Sequence, residues 1–142
     1  MNWKKEISEI EKRAAMSESM GGAEKVKLQH KHGKLTVRER IELLTDKGSF
    51  HEIGKLAGQS EYDEKGELVS FNPSNFVMGV ATIDGRQIIV SGDDFTVRGG
   101  SADASIGEKR IHAEGIASEL GLPHIRLVDG MGGGGSVKTI ET

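Results

Sequence analysis

The 142-residue chain contains no cysteine, only two prolines and only six aromatic residues: four Phe, one Trp and one Tyr. Without cysteine there is no disulfide framework, no thiol nucleophile and no Cys-based zinc site. Its apolar runs fall well short of the roughly 20 residues that cross a bilayer as a helix. The N-terminal stretch "MNWKKEISEIEKRAA" lacks the apolar segment of a signal peptide. These absences, with 29% charged residues, lead to the expectation of a cytoplasmic protein with no membrane partner. A hydrophobic content of 35% is enough for one domain with a lean core.

Basic excess is scarce as well. The net charge is −3, divided unevenly: residues 1–40 carry ten Lys/Arg against six Asp/Glu, and residues 41–142 carry nine against sixteen. A nucleic-acid-binding domain is usually far more basic, so no nucleic-acid partner is expected. The basic stretch Lys25, Lys27, Lys31, Lys34, Arg38 and Arg40 suits either a solvated face or a phosphorylated small molecule. His30 and His32, two residues apart, make a poor metal pair. Asp93 and Asp94 would point to opposite faces of a strand, so a turn is expected there and no metal site.

Glycine, by contrast, is abundant, at 20 residues. Around it the chain punctuates itself. Trp3, Ile7, Ile10 and Ala14 fall at helical spacing, predicting an amphipathic helix over 2–18 that Gly21 and Gly22 end. Its stripe is thin, so it should pack on another element or another subunit. Thr36 and Glu39 have the form of a capping box opening a helix over 37–45. Residues 54–75 read as turn formers and charges, with a turn at 63–66. Asp84–Gly85 between two apolar runs predicts a hairpin with strands at 76–83 and 86–92. "FTVRGG" (95–100) either extends the second strand or opens a third. A helix over 104–120 carries Ile106, Ile111, Ile116 and Leu120 and stops at Gly121 and Pro123. His112 and Glu114 on it face solvent or cap. A strand follows at 124–129.

That strand runs into "DGMGGGGSVK" (129–138), five glycines in the six positions 130–135. Gly130, Gly132 and Gly135 satisfy a dinucleotide fingerprint, but so glycine-rich a segment matches almost any glycine template. The P-loop reading fails on register, because Lys138–Thr139 arrive two residues late. Two readings stay open. One is a flexible linker or tail. The other is an oxyanion hole, in which a glycine turn lets a substrate oxygen approach unpaired backbone N–H groups. Donors of that kind contribute about 3–4 kcal/mol each in acyl chemistry.

Three stretches then carry a resemblance. "GGAEKVKLQHKHGKLTVRERIELLTDKGSFHEIG", "VMGVATIDGRQIIVSGDDFTVRGGS" and "HAEGIASELGLPHIRLVDG" are similar, in this order, to motifs of the biotin-dependent acyl-CoA carboxyltransferases of the propionyl-, methylcrotonyl- and acetyl-CoA carboxylase beta-subunit type. The match covers about residues 20–135, the N-terminal portion of such a subunit. The resemblance implies an α/β fold, a partial crotonase-like (ClpP-type) β-β-α superhelix preceded by N-terminal helices. It divides the chain into a helical segment at 1–50 and an incomplete crotonase-like carboxyltransferase domain at 51–142.

It also implies transfer of carboxylate from carboxybiotin to the α-carbon of an acyl-CoA through an enolate, with no covalently bound cofactor and no metal. The family's "DSGGAR" is replaced here by "DGMGGGGSV", which makes Gly132 and Gly133 the expected oxyanion-hole pair, with Gly134 and Gly135 as alternatives. Gly99, Gly100, Ser101, Lys34 and Arg38 are the expected CoA contacts. Expected partners are a biotin carboxyl carrier that brings carboxybiotin, a biotin carboxylase, and a C-terminal half or second subunit in a homo- or hetero-oligomer. The chain alone is expected to be inactive. The alternatives are a non-catalytic CoA-binding or assembly module and an acyl-CoA decarboxylase component. The acyl chain is not readable from these residues.

Overall fold

The architecture was obtained as a computed structural model that describes residues 2–101 and 107–130. At its centre is the expected hairpin. Strands β4 (Phe76–Ile83) and β5 (Arg86–Asp93) pair antiparallel from Ile83–Arg86 to Phe76–Asp93. Asp84 and Gly85 both have positive φ, 49° and 74°, as a two-residue type I′ turn requires. The Asp46 carboxylate braces the turn, accepting the Asp84 and Gly85 amides at 2.9 Å and the Thr82 hydroxyl at 2.5 Å.

The hairpin grows into a four-stranded sheet of order β1-β4-β5-β6. β1 (His51–Ile53) joins β4 antiparallel, and β6 (His124–Leu127) joins β5 in parallel. A parallel neighbour needs a crossover, supplied by helix α4 (Gly107–Leu120). Gly121 at φ 64° ends α4, and the Leu122 amide reaches back to the Ala117 carbonyl at 2.9 Å. The run β4, β5, α4, β6 is thus one β-β-α unit followed by the strand of the next.

Alternation along the strands feeds two cores. Val77, Ala81, Ile88 and Val90 face helix α3 (Val37–Leu44), which buries Val37 and Ile41 against them. Phe76, Met78 and Ile89 face α4, which contributes Ala113 and Ala117. The alanines correct the sequence expectation: Ile111 is 71% exposed and Leu120 58% exposed. Helix and sheet approach closely enough that small residues fill the gap. Residue 50 marks a change of secondary structure rather than of packing, since α3 shares its core with the sheet.

α1 (Lys4–Glu18) and the capping box of α3 follow expectation, with the Glu39 amide donating to the Thr36 hydroxyl at 3.3 Å. Elsewhere the sequence reading was incomplete. Residues Ala23–Lys31 form helix α2, and the stretch read as turns holds a second, two-stranded sheet, β2 (Gly58–Tyr62) with β3 (Leu68–Pro73). The expected turn at 63–66 connects these strands, closed by the Gly66 amide on the Asp63 carbonyl at 3.0 Å. "FTVRGG" is neither strand nor extension, because Arg98–Gly100 form a short 3-10 turn. Of the helix expected over 104–120, positions 104–106 lie outside the described residues.

Candidate functional site

The C-terminal ends of β5 and β6 meet the loops around α2. β5 ends on Asp93, whose carboxylate accepts Arg110 from α4 at 2.9 Å, with Arg126 at 3.5 Å. The next residue, Asp94, turns away and accepts the amide and hydroxyl of Thr96 at 2.9 and 2.6 Å. Burial pushes the Asp94 carboxyl above its usual range against those two bonds. The two carboxylates part as expected, and the chain turns. Among the described residues no three metal-ligating side chains cluster.

The turn carries the sequence-predicted glycines. Arg98, Gly99 and Gly100 all have positive φ, from 52° to 66°. Gly100 lies flat against the chain leaving β6, where a methyl group would collide with the Asp129 carbonyl oxygen. The buried Asn75 amide holds the Ser101 carbonyl. The Gly21 amide donates to the Thr96 hydroxyl at 2.9 Å, so the first Gly-Gly segment is fastened to the same turn.

Asp129 is the second anchor. Its carboxylate takes the Lys34 ammonium at 3.0 Å on one oxygen and the Gln29 amide at 3.1 Å on the other. Lys34 also rests over the Phe95 ring at 4.8 Å. Gln29 is buried, and its amide also donates to the Leu35 carbonyl at 3.3 Å. Residues about a hundred positions apart therefore fix where the glycine run begins. Gly132, Gly133, Gly134 and Gly135 themselves lie outside the described residues.

Two clefts flank the Lys34–Asp129 bridge. One, of about 230 Å³, is lined by Lys25, Leu28, His32, Phe95, Arg98 and Gly99. The other, about 390 Å³, is lined by Lys34, Leu35, Arg40, Val128 and Asp129. Small-molecule pockets run to roughly 300–1,000 Å³, so the first cleft falls below that range and the second near its lower end. Both have basic walls. Of the expected CoA contacts, Gly99 lines the first cleft and Lys34 the second, while Gly100 and Ser101 follow Gly99 in the turn and line neither. Arg38 also lines neither: its guanidinium forks onto the Glu52 carboxylate at 2.8 and 3.2 Å. Lys25, His32 and Arg98 line the first cleft, a role the basic stretch alone did not single out, and Gln29 gave no signal. His30 is occupied by Glu39 at 2.9 Å, while His112 and Glu114 are exposed.

Behind the turn lies a charged group distinct from the clefts. Lys109 on α4 packs its side chain on Gly54. Burial lowers its ammonium from 10.5 to about 8, with Arg38 adding to the effect and Glu52 opposing it.

Against known proteins, residues 28–141 match the carboxyl transferase domain. The chain belongs to that family. It is 39% identical over 126 residues to a propionyl-CoA carboxylase beta chain of Cereibacter sphaeroides, covering 89% of this chain and 25% of the relative. It is 42% identical over 113 residues to a probable mitochondrial methylcrotonoyl-CoA carboxylase beta chain of Drosophila melanogaster, covering 79% and 19%. Among solved structures, transcarboxylase 12S, with methylmalonyl-coenzyme A and methylmalonic acid bound, superposes with a TM-score of 0.77 at 28% identity, over 92% of this chain and 26% of that one. The fold is accordingly a partial crotonase-like carboxyltransferase domain. The chain spans about a fifth to a quarter of the length of the relatives it matches.

Proposed function

We propose that this chain is the acyl-CoA-binding N-terminal part of a biotin-dependent carboxyltransferase. In the reaction the α-carbon of the thioester loses a proton, and the enolate oxygen is held by backbone amides of the glycine run, Gly132 and Gly133 or their neighbours Gly134 and Gly135. The α-carbon then takes the carboxyl group from biotin, whose ureido nitrogen gains the proton. Carboxybiotin arrives on a carrier domain charged by a biotin carboxylase. A C-terminal half or second subunit completes the site, and this chain alone transfers nothing.

One observation carries the reading. Gly100 lies directly against Asp129 and Gly130 at the base of the glycine run, and its neighbour Gly99 lines a cleft walled by Lys25, His32 and Arg98. That juxtaposition suits a ligand with phosphates at one end and a thioester at the other. Lys34 then acts as a strut on Asp129 as much as a phosphate contact, and Arg38 braces the frame through Glu52.

Calorimetric titration with propionyl-CoA tests it. A saturable isotherm is expected, weakened at least tenfold when Lys25→Glu and Arg98→Glu are combined, because each reversal turns attraction to a phosphate into repulsion. No heat at millimolar ligand would contradict the proposal. Binding without carboxyl transfer, even with a relative's C-terminal half supplied, would favour the binding-module alternative. Loss of CO2 from methylmalonyl-CoA in that assembly would favour the decarboxylase.

A further inference from the structure

α1 is packed the wrong way round for an ordinary surface helix. The side that lies on the β2–β3 hairpin is charged: Lys5 meets Glu67 at 2.7 Å, the Lys12 ammonium donates to the Leu68 carbonyl at 2.5 Å, and Arg13 donates to the Tyr62 hydroxyl. The apolar stripe points away from the hairpin. Trp3, Ile7 and Ile10 are 55%, 53% and 52% exposed. With Ala14 they repeat at intervals of four, three and four, the seam of a coiled coil.

We propose that this stripe is a self-association surface on which two copies of the chain pair their α1 helices antiparallel. The sequence of the helix is complementary to its own reverse. Centred between residues 8 and 9, the antiparallel register sets Trp3 against Ala14 of the second copy and Ile7 against Ile10, large opposite small and like opposite like. In heptad terms Lys4 and Glu11 take the e positions, and Glu6 and Arg13 the g positions. In an antiparallel pair e faces e and g faces g, so Lys4 meets Glu11, twice by symmetry, while Arg13 at its g position stays on Glu9 at 2.6 Å and on the Tyr62 hydroxyl. A parallel pair instead sets g against the e position five residues on and opposes Glu6 to Glu11. Its one favourable contact, Arg13 with Glu18, competes with the Lys55–Glu18 bridge at 2.7 Å. Charge thus selects both the partner and the orientation. This surface is independent of the acyl-CoA reading.

Sedimentation equilibrium of the full chain reads it out. A pair of 15-residue helices buries less than a standard interface, so a dimer with Kd of about 10–500 μM is expected. Ile7→Glu should abolish it. Lys4→Glu alone and Glu11→Lys alone should each weaken it about tenfold, because two attractive pairs become repulsive. An equimolar mixture of those two variants should recover wild-type affinity, since every e pair is again opposite in sign. Circular dichroism of each variant should match wild type, because all three side chains are on the surface. A wild-type chain monomeric at 500 μM would overturn the proposal. So would single reversals without effect, or a mixture that fails to recover.

Discussion

The strand-end site and the α1–hairpin edge use charge in opposite ways. At the strand ends, carboxylates tie together side chains from distant elements: Lys34 and Gln29 on Asp129, Thr96 on Asp94, Arg110 on Asp93. At the edge, charges are plentiful but exposed, and they cover a polar hairpin while the apolar residues face out. The difference separates positioning from coating. Partly buried pairs fix geometry to within a hydrogen bond, whereas exposed pairs add little and are screened by salt.

The strongest way to break the first region is Gly100→Ala. It places a Cβ on the Asp129 carbonyl oxygen at a φ of 66°. Left-handed strain and overpacking together should cost about 3 kcal/mol in urea denaturation, and propionyl-CoA binding should be lost. Lys109→Met sharpens the comparison in the other sense, because desolvation rather than a bonded partner dominates the setting of this half-buried cation. Replacing it should stabilise the fold by about 2 kcal/mol at pH 7. Its pKa is lowered on folding, from 10.5 to about 8. Below pH 8 it is protonated in both states and the full penalty applies. From pH 8 to 10.5 the unfolded state binds more protons, so its contribution to stability rises with pH. The Met variant should lack that rise in a pH series of urea melts.

Smaller effects follow. Asp129→Asn leaves Lys34 without its carboxylate and should cost about 1–2 kcal/mol, with faster amide exchange at Val128 and Gly130. Lys5→Ala at the edge should leave the denaturation midpoint unchanged within error. A large shift there would collapse the distinction between the two regions.

Much of the sheet was legible because its signals are local. Asp84–Gly85, the Thr36–Glu39 box and the Gly121 stop each act within a few residues. α2 was missed because Val26 and Leu28 do not form a helical stripe; what secures this helix is Gln29, buried against Asp129 a hundred positions away. β2, "GQSEY", was missed because a strand exposed along most of its length has no apolar alternation to read. α4 was placed correctly, but its inward face was not, because alanines there carry less signal than the isoleucine and leucine left outside. At the site, the glycine turn and Lys34 were visible as motifs, while the convergence of Lys25, His32 and Arg98 is a product of the fold.

The most direct test of the central claim is a two-dimensional amide NMR titration of the chain with propionyl-CoA. Shifts concentrated at Gly99, Gly100, Ser101, Lys25 and Gly130, with the α1–hairpin edge unmoved, are what the account predicts. A saturating titration that moves residues 58–73 and leaves the Gly99–Ser101 turn unchanged would contradict it.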